Sequence, residues 1–209
     1  MHTRHLKFFT ILRVTLATIL FSAVFHQPGV SQSSPEGPYD VFLPLLSKPY
    51  PPLPDILNGD FELGNNGDWT EYSSSDIYLL IGPYIEFVTP LPHSGGQLAW
   101  LGGINDEVGR LSQAVTLPAD GPIYLHYYYQ VDSEKSLCNA DWMHLLVGMT
   151  ELVSLGLCES GNTTDWVAGT VNLNAYAGQT ITIEFEVTTN SDDSTSSFFI
   201  DDVSLVRSP

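Results

Sequence analysis

Ile123-Tyr124-Leu125-His126-Tyr127-Tyr128-Tyr129-Gln130-Val131 decides the fold. Successive side chains of a β-strand point to opposite faces, and this stretch separates on that period. Ile123, Leu125, Tyr127, Tyr129 and Val131 share one side; Tyr124, His126, Tyr128 and Gln130 share the other. The first is a core face and the second carries rings with polar tips. The same period recurs outward in both directions. Upstream, Gln97–Leu101 and Leu111–Leu117 alternate, and Pro118 with Asp120-Gly121-Pro122 ends the second run in a turn. Downstream, Met143, Leu145, Val147 and Met149 make a core face with Trp142 and His144 opposite. Val167, Val171 and Leu173 follow, and then Ile181, Ile183, Phe185 and Val187 set Thr182, Glu184, Glu186 and Thr188 outside. Phe198 to Val206 closes the series. No helical stripe of useful length interrupts it, and no blade repeat is visible. The expected fold is all-β, a two-sheet antiparallel β-sandwich of jelly-roll type.

The 209 residues suit one domain with accessory segments. An apolar fraction of 43% can supply a core, and 17 Gly with 14 Pro favour turns over helices. Only 7 Lys and Arg stand against 24 Asp and Glu, a formal charge of -17. Such a surface repels nucleic acid and anionic lipid, so neither is expected as a partner.

Three of the basic residues, Arg4, Lys7 and Arg13, precede a mostly apolar run from Val14 to Phe25. That run is short for a bilayer span and no basic stop-transfer follows, so residues 1–31 are expected to be a secretory signal peptide. Cleavage after Ala23 and cleavage near Ser31 both remain open, and a retained anchor is the competing reading. Removing the signal leaves 7 − 3 = 4 basic residues and a charge of 4 − 24 = −20. Residues 32–55 hold Pro44, Pro49, Pro51, Pro52 and Pro54 and suit an extended linker. The sandwich is expected over 56–207. Cys138 and Cys158 are the two cysteines, placed symmetrically about Gly148 at the open end of an expected hairpin from Trp142 to Leu157. Export would favour their pairing; two buried free thiols are the alternative.

Two segments frame the domain: Leu57-Asn58-Gly59-Asp60-Phe61-Glu62 and Phe199-Ile200-Asp201-Asp202-Val203. They are expected as first and last strands, meeting in space. The opening Asn58–Glu62 with Gly64 and Trp69, and the closing Phe198–Leu205, resemble the ends of bacterial extracellular jelly-roll domains. These are the galactose-binding-like domains, including carbohydrate-binding module families four, nine and twenty-two. Ser94-Gly95-Gly96, Leu111-Ser112-Gln113 and Ala175–Gln179 fall between them in the order the resemblance requires. The stretch from Cys138 through Asp141-Trp142 to Cys158 and Trp166 resembles a sub-group found in secreted multidomain hydrolases and surface proteins. The resemblance implies a structural calcium joining first strand, mid-chain loop and last strand. Carried over, Glu62 and Asp201 would give carboxylates, Asp60 an oxygen, and the loop His93–Gln97 a carbonyl. Asp202 rivals Asp201, since neighbouring strand residues point oppositely and a bulge could exchange them.

Sugars stack apolar faces on aromatic rings while their hydroxyls bond polar tips. Tyr124, His126 and Tyr128, with Trp142 and His144 on a neighbouring strand, are therefore candidates for a glycan-binding face. Glu184 and Glu186 would join them if they project from the same face. Against this stands packing of the same rings in a second layer or under loops. Trp100, in phase with Leu98, is expected in the core, and Trp69 and Trp166 are expected to pack. Glu184 and Glu186 stand about 7 Å apart at their Cβ atoms, a separation glycosidases use. Yet no Glu-x-Asp-x-x-Glu pattern, zinc spacing, Gly-x-Ser-x-Gly elbow or phosphate loop accompanies them. The expectation is not an enzyme but a secreted carbohydrate-binding-like module with calcium, its partner a polysaccharide or cell-surface glycan. An adhesion module meeting another extracellular protein is the second reading, and a small glycosidase or lyase the third. Asn162-Thr163-Thr164, a formal glycosylation sequon, and Asp192-Asp193 are expected to be ordinary turns.

Overall fold

The structure, a computed structural model, describes residues 49–76, 80–86 and 88–209. The expected signal segment and residues 32–48 of the expected linker lie outside these. Ten strands run in order: β1 (Thr70–Ser73), β2 (Ile81–Pro83), β3 (Gln97–Gly102), β4 (Val108–Thr116), β5 (Tyr124–Ser133), β6 (Asp141–Val147), β7 (Thr150–Leu157), β8 (Val167–Asn172), β9 (Thr180–Thr188) and β10 (Ser196–Val206). They make two five-stranded sheets, β1-β4-β9-β6-β7 and β2-β3-β10-β5-β8, with every pair antiparallel. This is the expected two-sheet β-sandwich. We call the two sheets the first and the second.

The core lies between the sheets and follows the alternation. From the first sheet come Ile181, Ile183, Phe185, Val187, Met143 and Leu145; from the second come Leu125, Tyr127, Val131, Phe198 and Ile200. Phe185 meets the Tyr127 ring edge to face at 5.1 Å, joining the layers. Covering a side chain such as Phe185 or Leu145 completely is worth about 1.5–3 kcal/mol. The hairpin β6–β7 turns at Gly148 as expected, and Cys138 and Cys158 are bonded at its open end.

Three expectations need correction. Asn58–Glu62 is not a first strand but a sequence of turns, with Asn58 (φ 48°) and Phe61 (φ 58°) in the left-handed region. The turns drop Phe61 into the core at 0% exposure and stack it near Trp69. The meeting with the last strand still occurs: the Val203 amide donates to the Gly59 carbonyl at 2.8 Å. A Cβ on Gly59 would lie 2.1 Å from the Val203 oxygen, so the approach requires glycine. Trp100 is not in the inter-sheet core. Ala99 and Leu101 face the core, which turns Leu98 and Trp100 to the outer face of the second sheet, against Phe199. Met149 is fully exposed because the strand ends at Val147 and Met149 forms the hairpin tip.

Residues 49–55 of the proline-rich segment run along the sandwich. Arg207 donates to the carbonyls of Pro51, Asp120 and Pro122 and lies 5.4 Å over the Tyr50 ring. Leu53 packs against the core. The buried Gln113 side chain ties the next segment down, accepting from the Leu57 amide and donating to the Leu57 and Asp68 carbonyls.

Candidate functional site

The outer face of the first sheet carries a continuous cross-strand row. Register places Tyr72 (β1) opposite Arg110 (β4), Arg110 opposite Glu186 (β9), Glu186 opposite His144 (β6) and His144 opposite Ser154 (β7). The contacts follow the register. Arg110 lies 5.2 Å over the Tyr72 ring, and its Nε donates to Glu186 Oε2 at 2.5 Å and stands 3.9 Å from Glu184 Oε1. His144 Nδ1 lies 2.7 Å from Glu151 Oε2 and 3.2 Å from the Ser154 hydroxyl. Trp142 continues the surface, its ring near parallel to His144 at 6.1 Å. In the adjacent row Glu184, Leu146 and Glu151 stand side by side. Burial raises the Glu184 pKa, with the Arg110 charge pulling it down and Glu186 pushing it up. The hydrogen bond to Glu186 raises that of Arg110. The face thus offers rings for stacking between fixed donors and acceptors.

The outer face of the second sheet holds Tyr124, His126 and Tyr128 on β5. The loop between β2 and β3 arches across it. His93 stacks on Tyr128 with centroids 3.6 Å apart, and His126 meets Tyr128 edge-on. The Trp166 indole donates to the Leu91 carbonyl at 2.9 Å and sits edge-on to His93. Trp166 therefore packs as expected, but under a loop and not in the core.

A single platform joining the two stripes does not form. β5 and β6 belong to opposite sheets, so Tyr124, His126 and Tyr128 face away from Trp142 and His144. Glu184 and Glu186 do share the face of Trp142 and His144. Tyr72, Glu151, Ser154 and His93 went unrecognised in the sequence. Arg110 gave one signal, as the lone Arg between Arg13 and Arg207; it lies between the two carboxylates.

Asp60, Glu62, Asp201 and Asp202 gather where Asn58–Glu62, the loop 93–97 and β10 meet. Glu62 Oε1 accepts the amides of Gly96 and Gln97, both at 2.8 Å. Asp201, at 0% exposure, accepts the Ser94 amide on one oxygen and the Asp202 amide on the other. Burial pushes its pKa up to about 6. The bulge at Asp202 (φ 48°) turns that side chain to the Ser94 hydroxyl and, at 2.5 Å, to His93 Nδ1. Asp60 accepts the Glu62 amide at 3.4 Å. Among the described residues no three His, Cys, Asp or Glu side chains are arranged to hold a metal ion. Hydrogen bonds hold this clasp, and through His93 it abuts the Tyr128 stripe.

The sequon residue Asn162 is engaged by its own domain, its side-chain amide accepting from and donating to the Ser133 backbone.

No protein-family model and no curated protein sequence matches the chain. Solved structures do. A family 61 carbohydrate-binding module, TmCBM61, in complex with β-1,4-galactotriose is 22% identical with a TM-score of 0.52, over 73% of this chain and 97% of that one. The K3 cleaved adhesin domain of Lys-gingipain from Porphyromonas gingivalis is 16% identical with a TM-score of 0.51, over 73% and 99%. The K1 domain of the same protein is 12% identical with a TM-score of 0.51, over 76% and 100%. What the chain shares with all three is the fold, the two-sheet β-sandwich on which carbohydrate-binding modules and cleaved adhesin domains are built.

Proposed function

We propose that this domain is a secreted, non-catalytic glycan-binding module whose ligand lies across the outer face of the first sheet. The row Tyr72–Arg110–Glu186–His144–Ser154, flanked by Trp142, carries the reading. Amphipathic rings interleaved with oriented polar groups suit a sugar, whose rings stack and whose hydroxyls need both donors and acceptors. Arg110 ties down Glu186 and approaches Glu184, which suits binding better than proton transfer, because a general acid must be free to give up its proton. The bonded cysteines suit an exported protein. The family 61 module binds β-1,4-galactotriose, so β-1,4-galactan is the first ligand to try.

A glycan array probed with the purified domain tests the reading. Trp142→Ala should weaken the best ligand about tenfold or more, as removal of a central ring does. Tyr128→Ala, on the opposite face, should leave binding unchanged. Binding to no glycan would sink the proposal; loss of binding in Tyr128→Ala alone would move the site to the second sheet.

Calcium belongs to the same proposal on the chemistry of its donors. Asp60, Glu62, Asp201 and Asp202 put hard oxygens at one place in the fold, as calcium prefers, with backbone carbonyls completing the shell. Bound ion should raise the melting temperature with calcium concentration, and Glu62→Gln should blunt the rise. Melting that ignores both calcium and chelator would remove the ion from the account.

A further inference from the structure

A second cavity opens on the outer face of the second sheet, away from the proposed glycan face. Its volume is about 680 Å³, and its walls include Ile85, Val88, Leu98, Trp100 and Ile104. That size and character suit a small-molecule site. One wall group lacks a partner. The Trp100 indole N–H is buried with no acceptor among the described residues, whereas buried tryptophan N–H groups are ordinarily satisfied. Gly103, also in the wall, lies against that ring: a Cβ there would come within 2.3–2.9 Å of three indole atoms, and its φ is 78°. The backbone closes over the indole edge only because the residue is glycine. No charged residue lines the cavity. Among the described residues the Lys and Arg are Arg110, Lys135 and Arg207, each engaged elsewhere.

We propose that this cavity binds a neutral, largely apolar small molecule carrying a hydrogen-bond acceptor, a ketone or ester whose oxygen takes the Trp100 N–H. The apolar walls supply the burial and the unpaired donor supplies the orientation. With no cation in the lining, a carboxylate would be desolvated without compensation, which excludes fatty-acid anions.

Three probes of one shape separate these contributions: 2-acetylnaphthalene, 2-ethylnaphthalene and 2-naphthoate. Titration followed through the indole N–H resonances, with Trp100 assigned by Trp100→Phe, should show the ketone shifting that resonance. The ketone should bind about tenfold tighter than the hydrocarbon, the value of one hydrogen bond to a donor already desolvated. The naphthoate should bind more weakly than either. Trp100→Phe should bring ketone and hydrocarbon to equal affinity. Val88→Trp, filling the mouth from a half-exposed position, should abolish binding of both without lowering the melting temperature. Equal affinities in the native protein, no binding of either neutral probe, or a Trp100 resonance that stays still would each overturn the proposal. The resonance and the Val88 variant keep the test decisive should Trp100→Phe not fold.

Discussion

At the scale of single residues, Tyr127 shows what the inter-sheet space demands. Its side chain is 3% exposed, lies edge-on to Phe185, and is roofed by Gly169, where a Cβ would come within 2.4 Å of the ring. Ionising the phenol would put a charge into this apolar layer, and burial pushes its pKa from 10.0 up to about 12, with Tyr129 adding to the rise. The consequence for stability has a definite sign. Below pH 10 the phenol is neutral folded and unfolded, and its contribution is fully present. Between about pH 10 and 12 the unfolded chain loses the proton first, so stability falls as pH rises through that window. A shift of this size is worth about 3 kcal/mol. Tyr127→Phe should therefore flatten the alkaline limb of a urea-unfolding series while leaving stability at pH 7 within about 1 kcal/mol of the parent. An unchanged alkaline limb would mean that the phenol reaches water.

At the scale of elements, the β6–β7 hairpin is the place where one covalent bond protects a sheet edge. β7 is an outer strand of the first sheet, and the Cys138–Cys158 bridge, 20 residues apart in sequence, closes the hairpin behind it. Gly156 lets the backbones approach, since a Cβ there would lie 2.2 Å from the Cys138 oxygen. Replacing both cysteines with serine should cost about 3 kcal/mol. Hydrogen exchange should rise first in β7, with β5 in the other sheet still protected. Equal melting with and without reductant would contradict this. The hairpin was legible because alternation, a glycine turn and two symmetric cysteines agree. Asn58–Glu62 was misread because its spacing imitates a strand; Asn58-Gly59 is itself a turn signal. Trp100 was misread because the second sheet is covered on both faces, by the first sheet on one side and by the 84–96 loop on the other. Phase alone cannot say which covered face is the core.

At the scale of the whole molecule, the candidate face divides along the same line. Alternation showed which residues share a strand face, but not which sheet a strand joins. That depends on pairing between strands distant in sequence, and it separates Tyr128 from Trp142 while bringing Trp142 to Glu186. Charge was legible from composition, and the structure gives it a location. On the first sheet's face Arg110 stands among Glu184, Glu186 and Glu151, and it is spent on Glu186 at 2.5 Å. Lys135 is buried beside Asp141 and Asp192, and Arg207 is turned to the proline segment. A polyanionic glycan crossing the face would therefore meet repulsion from the chain as a whole and find no unpaired cation among the described residues. We expect polygalacturonate to bind at least about tenfold more weakly than β-1,4-galactan at low ionic strength. Salt at about 1 M should narrow the gap by screening. Glu184→Gln with Glu151→Gln should narrow it further, because those two carboxylates flank Leu146 on the exposed row. Affinity electrophoresis in gels carrying either polymer reads all three effects. Equal retardation by both polymers at low salt would show that the acidic surface does not govern what this face admits.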